Sequence, residues 1–306
     1  CSIANLFKNM TTRKLNIIPI ILTCIGGCLI GLAPIFVRFI EIGPSFTGFY
    51  RFLFATILIF FYGIFTNKIK VLTLKELLVI SIPGLCFGTD IALWHSSIVF
   101  TSIAHATLFV NTAPLYVCIF GFLIFKDKLN NLFLISLFIS LMGVYVLVSN
   151  NPSYSGSYFS FGDLLALLAA FFYAGYLLSV NKLSNRFNTF NLIFYSSLFA
   201  CIPFGIASLY ELDNPIPYSV FGWFNFLGQA IFVQILGQGL VIYGLSKIRP
   251  QLSSLLLLFQ PITATILGAY FFSEMLLFGQ LIGVIILLIG IYFAGLSERL
   301  REINEK

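Results

Sequence analysis

The chain has 306 residues, of which 59% are hydrophobic and only 9% charged, with a mean hydropathy of +1.01. A soluble domain carries about 25% charged residues, so this composition excludes ordinary soluble enzymes, disordered proteins and nucleic-acid binders. The formal charge of +6 then reads as the loop charge of a membrane protein, not as the footprint of a polyanion partner.

A bilayer span needs roughly 20 mostly apolar residues, and apolar runs of that length predict ten helices. In chain order they are Ile17–Val37, Phe46–Phe65, Leu77–Ile98, Ser102–Phe125, Leu132–Val148, Leu164–Val180, Phe190–Leu209, Val220–Leu245, Leu252–Phe272 and Leu277–Leu296. The third and fourth are joined by a tight turn near Thr101. The first run is of full span length and lacks an A-x-A site, so it reads as a helix and not as a cleavable signal. The chain opens on Cys1 instead of Met, as a trimmed sequence does. Six cysteines (Cys1, Cys24, Cys28, Cys86, Cys118, Cys201) show no CxxC or zinc-ligand spacing. Cys24 and Cys28 share a helix face in an apolar run and read as small core residues.

Charge placement decides the helix count. With the N-terminus inside and ten crossings, 15 of the 17 basic residues fall on inside segments: Lys8, Arg13, Lys14, Lys68, Lys70, Lys75, Lys126, Lys128, Lys182, Arg186, Lys247, Arg249, Arg299, Arg301 and Lys306. Only Arg38 and Arg51 do not. Outside segments carry Glu41, Asp163, Glu211, Asp213 and Glu274. Positive-inside bias orients spans during insertion, and eight or nine spans would scramble this alternation. Both termini are therefore expected in the cytoplasm, in a bacterial-type plasma membrane. The uncharged stretch Ser149–Phe161, rich in Ser, Asn, Gly and Tyr, reads as a flexible connection between two halves. The expected divisions are 16–150 and 162–297 as five-helix units, 151–161 as an extracytoplasmic linker and 298–306 as a cytoplasmic tail.

A shift of 147 residues aligns the halves. Pro114 falls on Pro261, Gly121 on Gly268, Phe125 on Phe272, Asp127 on Glu274, Leu129 on Leu276, Gly143 on Gly290 and Tyr145 on Tyr292. The first copy begins inside and the second, five crossings later, outside. The fold class is thus an all-α integral membrane protein of ten transmembrane helices arranged as two inverted five-helix repeats. Such repeats are characteristic of secondary transporters.

The stretches GGCLIGLAPIFVRF (Gly26–Phe39), FYRFLFA around Arg51, NTAPLYVCIFGFLIFKDKL (Asn111–Leu129) and FQPITATILGAYFFSEML (Phe259–Leu276) resemble the drug/metabolite transporter superfamily, in its ten-helix EamA type. In that family each half carries a mid-helix proline followed by a helix-end acid, commonly Glu-Arg/Lys-Leu. Here the acids stand in Asp127-Lys128-Leu129 and Glu274-Met275-Leu276, both variants. The resemblance implies transport of a small molecule, and its members' cargoes include amino acids, other metabolites and sugar nucleotides.

Asp90 is the only acid well inside a predicted span. Charged groups at membrane depth are costly and commonly face a cavity or a partner. Phe87, Asp90, Trp94, Ser97 and Thr101 recur at helical spacing on one face. That face reads either as a substrate- or proton-binding wall or as a hydrogen-bonded Asp holding a neighbouring helix. His95 lies about 140° around the helix from Asp90. His95 and His105 suit interfacial hydrogen bonding or, with Asp90, a proton relay. No paired metal ligands occur, and no metal is expected.

The fourth helix carries Thr107, Asn111, Pro114, Cys118 and Gly121 on one stripe, matched by Ser254, Leu258, Pro261, Thr265 and Gly268 on the ninth. A proline frees a backbone carbonyl and bends a helix. These stripes read as two cavity walls with the prolines as flexure points, or as close helix packing. Gln234 and Gln238 share a face of the eighth helix, Gln260 precedes Pro261, and Tyr173 and Tyr176 are candidate lining from the sixth. Amides recognise polar substrate groups without a fixed charge and equally serve as interhelical glue. Arg51 is expected near the outer end of the second helix, snorkelling or paired with Glu41 in a structural role.

The function expected from these features is a secondary transporter, a permease or exporter, moving a small metabolite such as an amino acid by alternating access. The alternatives are an intramembrane enzyme and a non-transport membrane receptor. The enzyme lacks a constellation: Asp90 has no second membrane acid, Gly88-Thr89-Asp90 is not a full GxGD pattern, and Gly43–Gly48 is an outer turn. No catalytic residue and no cofactor are expected, and no G-x-x-x-x-G-K-[ST] phosphate loop is present. The expected partners are a small-molecule substrate and the lipid bilayer, with no nucleic acid; a homodimer is one open assembly.

Overall fold

A computed structural model describes residues 17–39, 41–126, 129–150, 159–209, 214–272 and 276–304. Cys1, Lys8, Arg13, Lys14, Asp127, Lys128, Glu211, Asp213, Glu274, Lys306 and linker residues 151–158 lie outside them.

Among the described residues, ten helices are long and apolar enough to cross a membrane. They are α1 (Ile17–Val37), α2 (Pro44–Phe65), α3 (Leu74–Phe100), α4 (Ile103–Ile124), α5 (Asn131–Ser149), α6 (Phe161–Leu183), α7 (Thr189–Ser208), α8 (Val220–Leu245), α9 (Pro250–Phe272) and α10 (Phe278–Arg301). The protein is an all-helical integral membrane protein, as the hydropathy pattern predicts.

Several helices start earlier than their apolar runs, and capping explains it. Thr73 and Glu76 form a capping box at α3, so the polar first turn holding Lys75 and Glu76 is helical. Ser160 and Asp163 do the same at α6. Asn130, Asn188 and Ser219 cap α5, α7 and α8 with their side chains. Each cap satisfies amides that have no partner in the helix. Between α3 and α4 only Thr101 and Ser102 intervene, and Ser102 accepts the amide of His105 at 3.1 Å.

The predicted prolines mark real interruptions. α4 consists of Ile103–Val110 and Ala113–Phe125, broken at Asn111–Thr112 just before Pro114. α9 consists of Pro250–Leu256 and Phe259–Phe272, broken just before Pro261. Thus the two repeats break within one residue of the same register. α1 breaks after Ile30, ahead of Pro34. The centre of α8, Gln229–Gln238, is wound as a π-helix, which the sequence pattern does not predict.

Basic side chains cluster at one end of the bundle, which we call the basic face: Lys68 and Lys70 between α2 and α3, Lys75 in the first turn of α3, Lys182 in the last turn of α6, Arg186 after it, and Lys247 and Arg249 between α8 and α9. The halves of α4 and α9 nearest that face pack on each other. Residues related by the 147-residue shift do not share an environment. Pro250 to Leu258 are buried without exception, whereas in the matching stretch Ile103–Asn111 only Ala104, His105 and Ala106 are buried and Ile103 is 59% exposed.

α6 lies at the centre against α3, and α7 packs on both α2 and α3. Cys24 and Cys28, expected in the core, are half-buried, with Cys24 packed against the core cluster that includes Leu255 and Leu256. The most extensive pair is α5 with α10. Their approach depends on glycine: a Cβ at Gly143 would lie 2.4 Å from the backbone N of Leu287, and one at Gly290 would lie 2.6 Å from the backbone N of Ser140. Gly143 and Gly290 are repeat equivalents, so each helix presents the same notch to the other. Small residues that let backbones approach supply the dispersion contact that drives association in lipid.

On the face opposite the lysines, Glu41 ties the α1–α2 turn to the start of α8. Its carboxylate accepts the backbone amide of Ser219 at 3.0 Å and the Ser219 hydroxyl. These hydrogen bonds hold the carboxyl below its ordinary value of 4.5.

Two outcomes are expected. Gly143→Val should destabilise the protein by about 1–3 kcal/mol, the range for overpacking, lowering its unfolding temperature in detergent; an unchanged temperature would contradict the backbone contact. The Glu41 contribution is present above the ordinary carboxylate value and lost as pH falls through the lowered one. Glu41→Gln should therefore flatten part of the loss of thermal stability seen on acidification below about pH 4.5, and identical acid profiles of variant and wild type would refute the strap.

Candidate functional site

The polar groups inside the bundle gather where α2, α3, α6, α7, α8 and α9 converge. Asp90 of α3 is 5% exposed and Arg51 of α2 is 6% exposed. They act on each other electrostatically without closing into a direct ion pair. Arg51 instead donates from Nη2 to Gln234 Oε1 at 3.0 Å, and Gln234 Nε2 donates to the Ser197 hydroxyl at 3.1 Å. One amide therefore joins α2, α8 and α7. This corrects the expectation for Arg51: it neither snorkels nor pairs with Glu41, because Glu41 is taken by Ser219 and the guanidinium is turned into the bundle.

α6 contributes two tyrosines, each bonded to a glutamine of the second repeat. Gln238 Nε2 donates to the Tyr176 hydroxyl at 2.7 Å and Gln260 Nε2 to that of Tyr173 at 3.5 Å. Both rings lie nearly parallel, with centroids 6.0 Å apart, and Phe87 stacks on Tyr176 at 4.5 Å. Phe52 meets Phe87 edge-on at 5.4 Å, and the Arg51 guanidinium carbon lies 5.3 Å from the Phe52 ring. The cluster thus joins two opposite charges, three amides and an aromatic stack.

Winding places the amides. Gln229, Gln234 and Gln238 are spaced by five and four residues, and all three are buried. A π-helix bonds i to i+5, so its turn is wider than four residues and such positions line up. An ordinary helix of 3.6 residues per turn would keep Gln234 and Gln238 on one face but turn Gln229 about 140° away from Gln234. Gln229 Nε2 continues the line to Asn225 Oδ1 at 2.9 Å, and Asn225 Nδ2 donates to the Phe36 carbonyl at 2.9 Å.

The buried atoms Arg51 Nε and Gln238 Oε1 have no hydrogen-bond partner among the described residues, nor does Trp94 Nε1, one turn along α3 from Asp90. Native interiors satisfy nearly all such atoms. Two donors and one acceptor beside an acid and an arginine can hold a ligand bearing both an acceptor and a donor group.

Other predicted residues lie elsewhere or spend their polar atoms locally. Ser97 donates to the Trp94 carbonyl at 2.7 Å, Thr107 to Ile103 at 2.7 Å and Thr265 to Pro261 at 2.8 Å. Asn111 donates to the Thr107 carbonyl at 2.7 Å, covering the break before Pro114. These groups cover helix carbonyls and are not brought into the cluster. His95 Nδ1 donates to the Pro44 carbonyl at 2.9 Å, and its ring packs between Trp94 and Phe204. His105 Nδ1 lies 3.2 Å from Asp163 Oδ1, which also accepts from Thr101 at 2.9 Å. This second group fastens α3, α4 and α6 together on the face opposite the lysines.

Reading the sequence missed Arg51 as part of the site. The usable signal was its position: a second charge seven residues inside α2, of opposite sign to Asp90.

Comparison with known proteins agrees with this architecture. The family model described as "EamA-like transporter family" matches twice, at residues 17–149 and 160–296. An uncharacterized transporter, YetK, of Bacillus subtilis (strain 168) is 25% identical over 205 residues, covering 65% of this chain; the chain spans 62% of that protein's length. An uncharacterized transporter of Archaeoglobus fulgidus is 24% identical over 257 residues, covering 82% of this chain and 88% of that protein. A solved crystal structure of 16% identity superposes with a TM-score of 0.77 over 92% of this chain and 98% of that one, a likeness of fold. With both halves matched, the chain belongs to the EamA-like transporter family and is a membrane transporter built from two copies of its repeat.

Proposed function

We propose that the protein is a secondary transporter that moves a small polar or amphipathic metabolite, such as an amino acid, by alternating access. The basic face is cytoplasmic in this reading, as positive-inside bias requires. The observation that carries it is the unequal environment of equivalent residues: Pro250–Leu258 fully buried near the basic face, Ile103–Asn111 mostly half-buried near the other. Inverted repeats that exchange conformations would reverse this inequality and open the opposite side. The matched breaks before Pro114 and Pro261 supply the flexure points.

The central cluster is the substrate site in this proposal. Arg51 has the donors to take a carboxylate in a forked pair, and Asp90 has the charge to take an ammonium group. Phe87, Tyr173 and Tyr176 offer an apolar surface for the rest of the molecule. Gln238 presents its carbonyl as a further acceptor.

Counterflow of radiolabelled amino acids in proteoliposomes tests the reading. Exchange of at least one is expected, and none of the twenty moving would sink the amino-acid assignment. Arg51→Gln should reduce exchange at least about tenfold, the equivalent of about 1.4 kcal/mol, while the protein still elutes as a single species. If Asp90 carries the coupled proton, Asp90→Asn should remove the dependence of exchange on external pH; a profile identical to wild type would exclude proton coupling at that residue.

A further inference from the structure

A groove of about 720 Å³ lies away from the polar cluster, between α1, α2, α7 and α8. Leu29, Leu58, Ile59, Ile193, Leu236 and Leu240 give it an almost wholly apolar wall. Its size falls within the range of small-molecule sites, roughly 300–1,000 Å³, but it lacks the convergent polar groups that orient a soluble metabolite. Its direction identifies the environment. Tyr62 near the end of α2 and Thr189 at the start of α7 mark its mouth, on the basic face. Ile235 marks its deep end, ten residues before α8 ends at Leu245. Along α8 its lining covers only Ile235–Leu240, about 8 Å at 1.5 Å per residue, in the part of that helix toward the basic face. The groove therefore opens toward the leaflet on the basic face.

The mouth carries charge. Lys68 Nζ donates to the Tyr62 hydroxyl at 3.3 Å and lies 5.2 Å from that ring. Lys70 nearby is engaged by Glu76 at 3.0 Å, whereas Lys68 makes no ion pair with any described residue. An apolar groove in the basic-face leaflet, with a cation and a phenol at its mouth, matches one chemistry.

We propose that this groove is a binding site for an anionic phospholipid of the leaflet on the basic face, its acyl chain along α8 and its phosphate on Lys68 and Tyr62. Basic residues at that level attract anionic headgroups, and the burial of the chain is driven by the same apolar contact that holds the helices. The site backs onto the π-wound stretch of α8, since Ile235 and Leu236 of its wall belong to the segment that carries Gln234. It stands independently of what the transporter carries.

Glycine supplies a clean test. A Cβ at Gly239 would meet only the tip of Ile193, Cδ1 at 3.3 Å, so Gly239→Leu fills the groove without striking backbone. Lys68 is exposed, so Lys68→Ala leaves the fold intact. The full chain is equilibrated in nanodiscs of equimolar palmitoyl-oleoyl phosphatidylglycerol and phosphatidylcholine, and retained lipid is read by native mass spectrometry. Wild type should retain phosphatidylglycerol preferentially. Lys68→Ala should cut that preference about fivefold, the factor expected of one lysine at an anionic surface, while keeping bound lipid. Gly239→Leu should lose the bound lipid of both kinds at an unchanged unfolding temperature. Equal retention of the two lipids by wild type, or retention unaltered by both substitutions, would overturn the site. If Gly239→Leu unfolds, the Lys68→Ala preference alone decides.

Discussion

No water reaches the hydrocarbon core to satisfy a stray donor or acceptor, and this constraint shapes every element of the protein. It makes all described spans helical, and the side chains of Thr73, Ser160 and Asn130 cap the starts of three of them. It also explains the local bonds of Thr107, Asn111 and Thr265, which cover carbonyls of the broken helices. Against that background the atoms left uncovered are the informative ones. Among them, Arg51 Nε and Gln238 Oε1 belong to the polar cluster at the junction of both repeats, and Trp94 Nε1 sits one turn along α3 from Asp90.

The two repeats are not chemically equal. Arg51 and Asp90 belong to the first, while Gln234, Gln238 and Gln260 and the two tyrosines belong to the second. The charges therefore come from one half and the neutral hydrogen-bonding groups from the other. A ligand bridging them would couple the halves, the mechanical requirement for a site at a repeat interface. The π-winding of α8 belongs to this asymmetry, since the matching stretch of α3, Ile82–Ile91, is ordinary α-helix. Wide winding often marks functional sites because it places side chains that a 3.6-residue turn cannot align.

Packing and chemistry occupy different parts of the bundle. α5 and α10 form a rigid pair, notched at Gly143 and Gly290, and contribute nothing to the polar cluster. The Thr101–His105–Asp163 group binds α3, α4 and α6 at one face without touching it. α8 by contrast serves three purposes at once: it holds Arg51 through Gln234, reaches Tyr176 through Gln238, and forms one wall of the apolar groove.

Much of this was legible from residue order. Ten spans, their inversion and the paired proline breaks follow from apolar run length, the sorting of lysine and arginine, and a repeat of 147 residues. These are one-dimensional properties, set by the thickness of the bilayer and by the chemistry of a residue's own turn. Asp90 was singled out the same way, as an acid where acids are costly. What the residues could not tell was which polar groups meet. Arg51 read as a structural partner of Glu41 because both lie near one end of adjacent segments, yet helix rotation turned one inward and left the other to cap α8. Ser97 shares a face with Asp90 but bonds its own helix. The alignment of Gln229 with Gln234 and Gln238 depends on a winding that only tertiary contacts select. Span number and orientation are local sums along the chain, whereas the site is a product of rotation and winding, which are decided only when ten helices pack together.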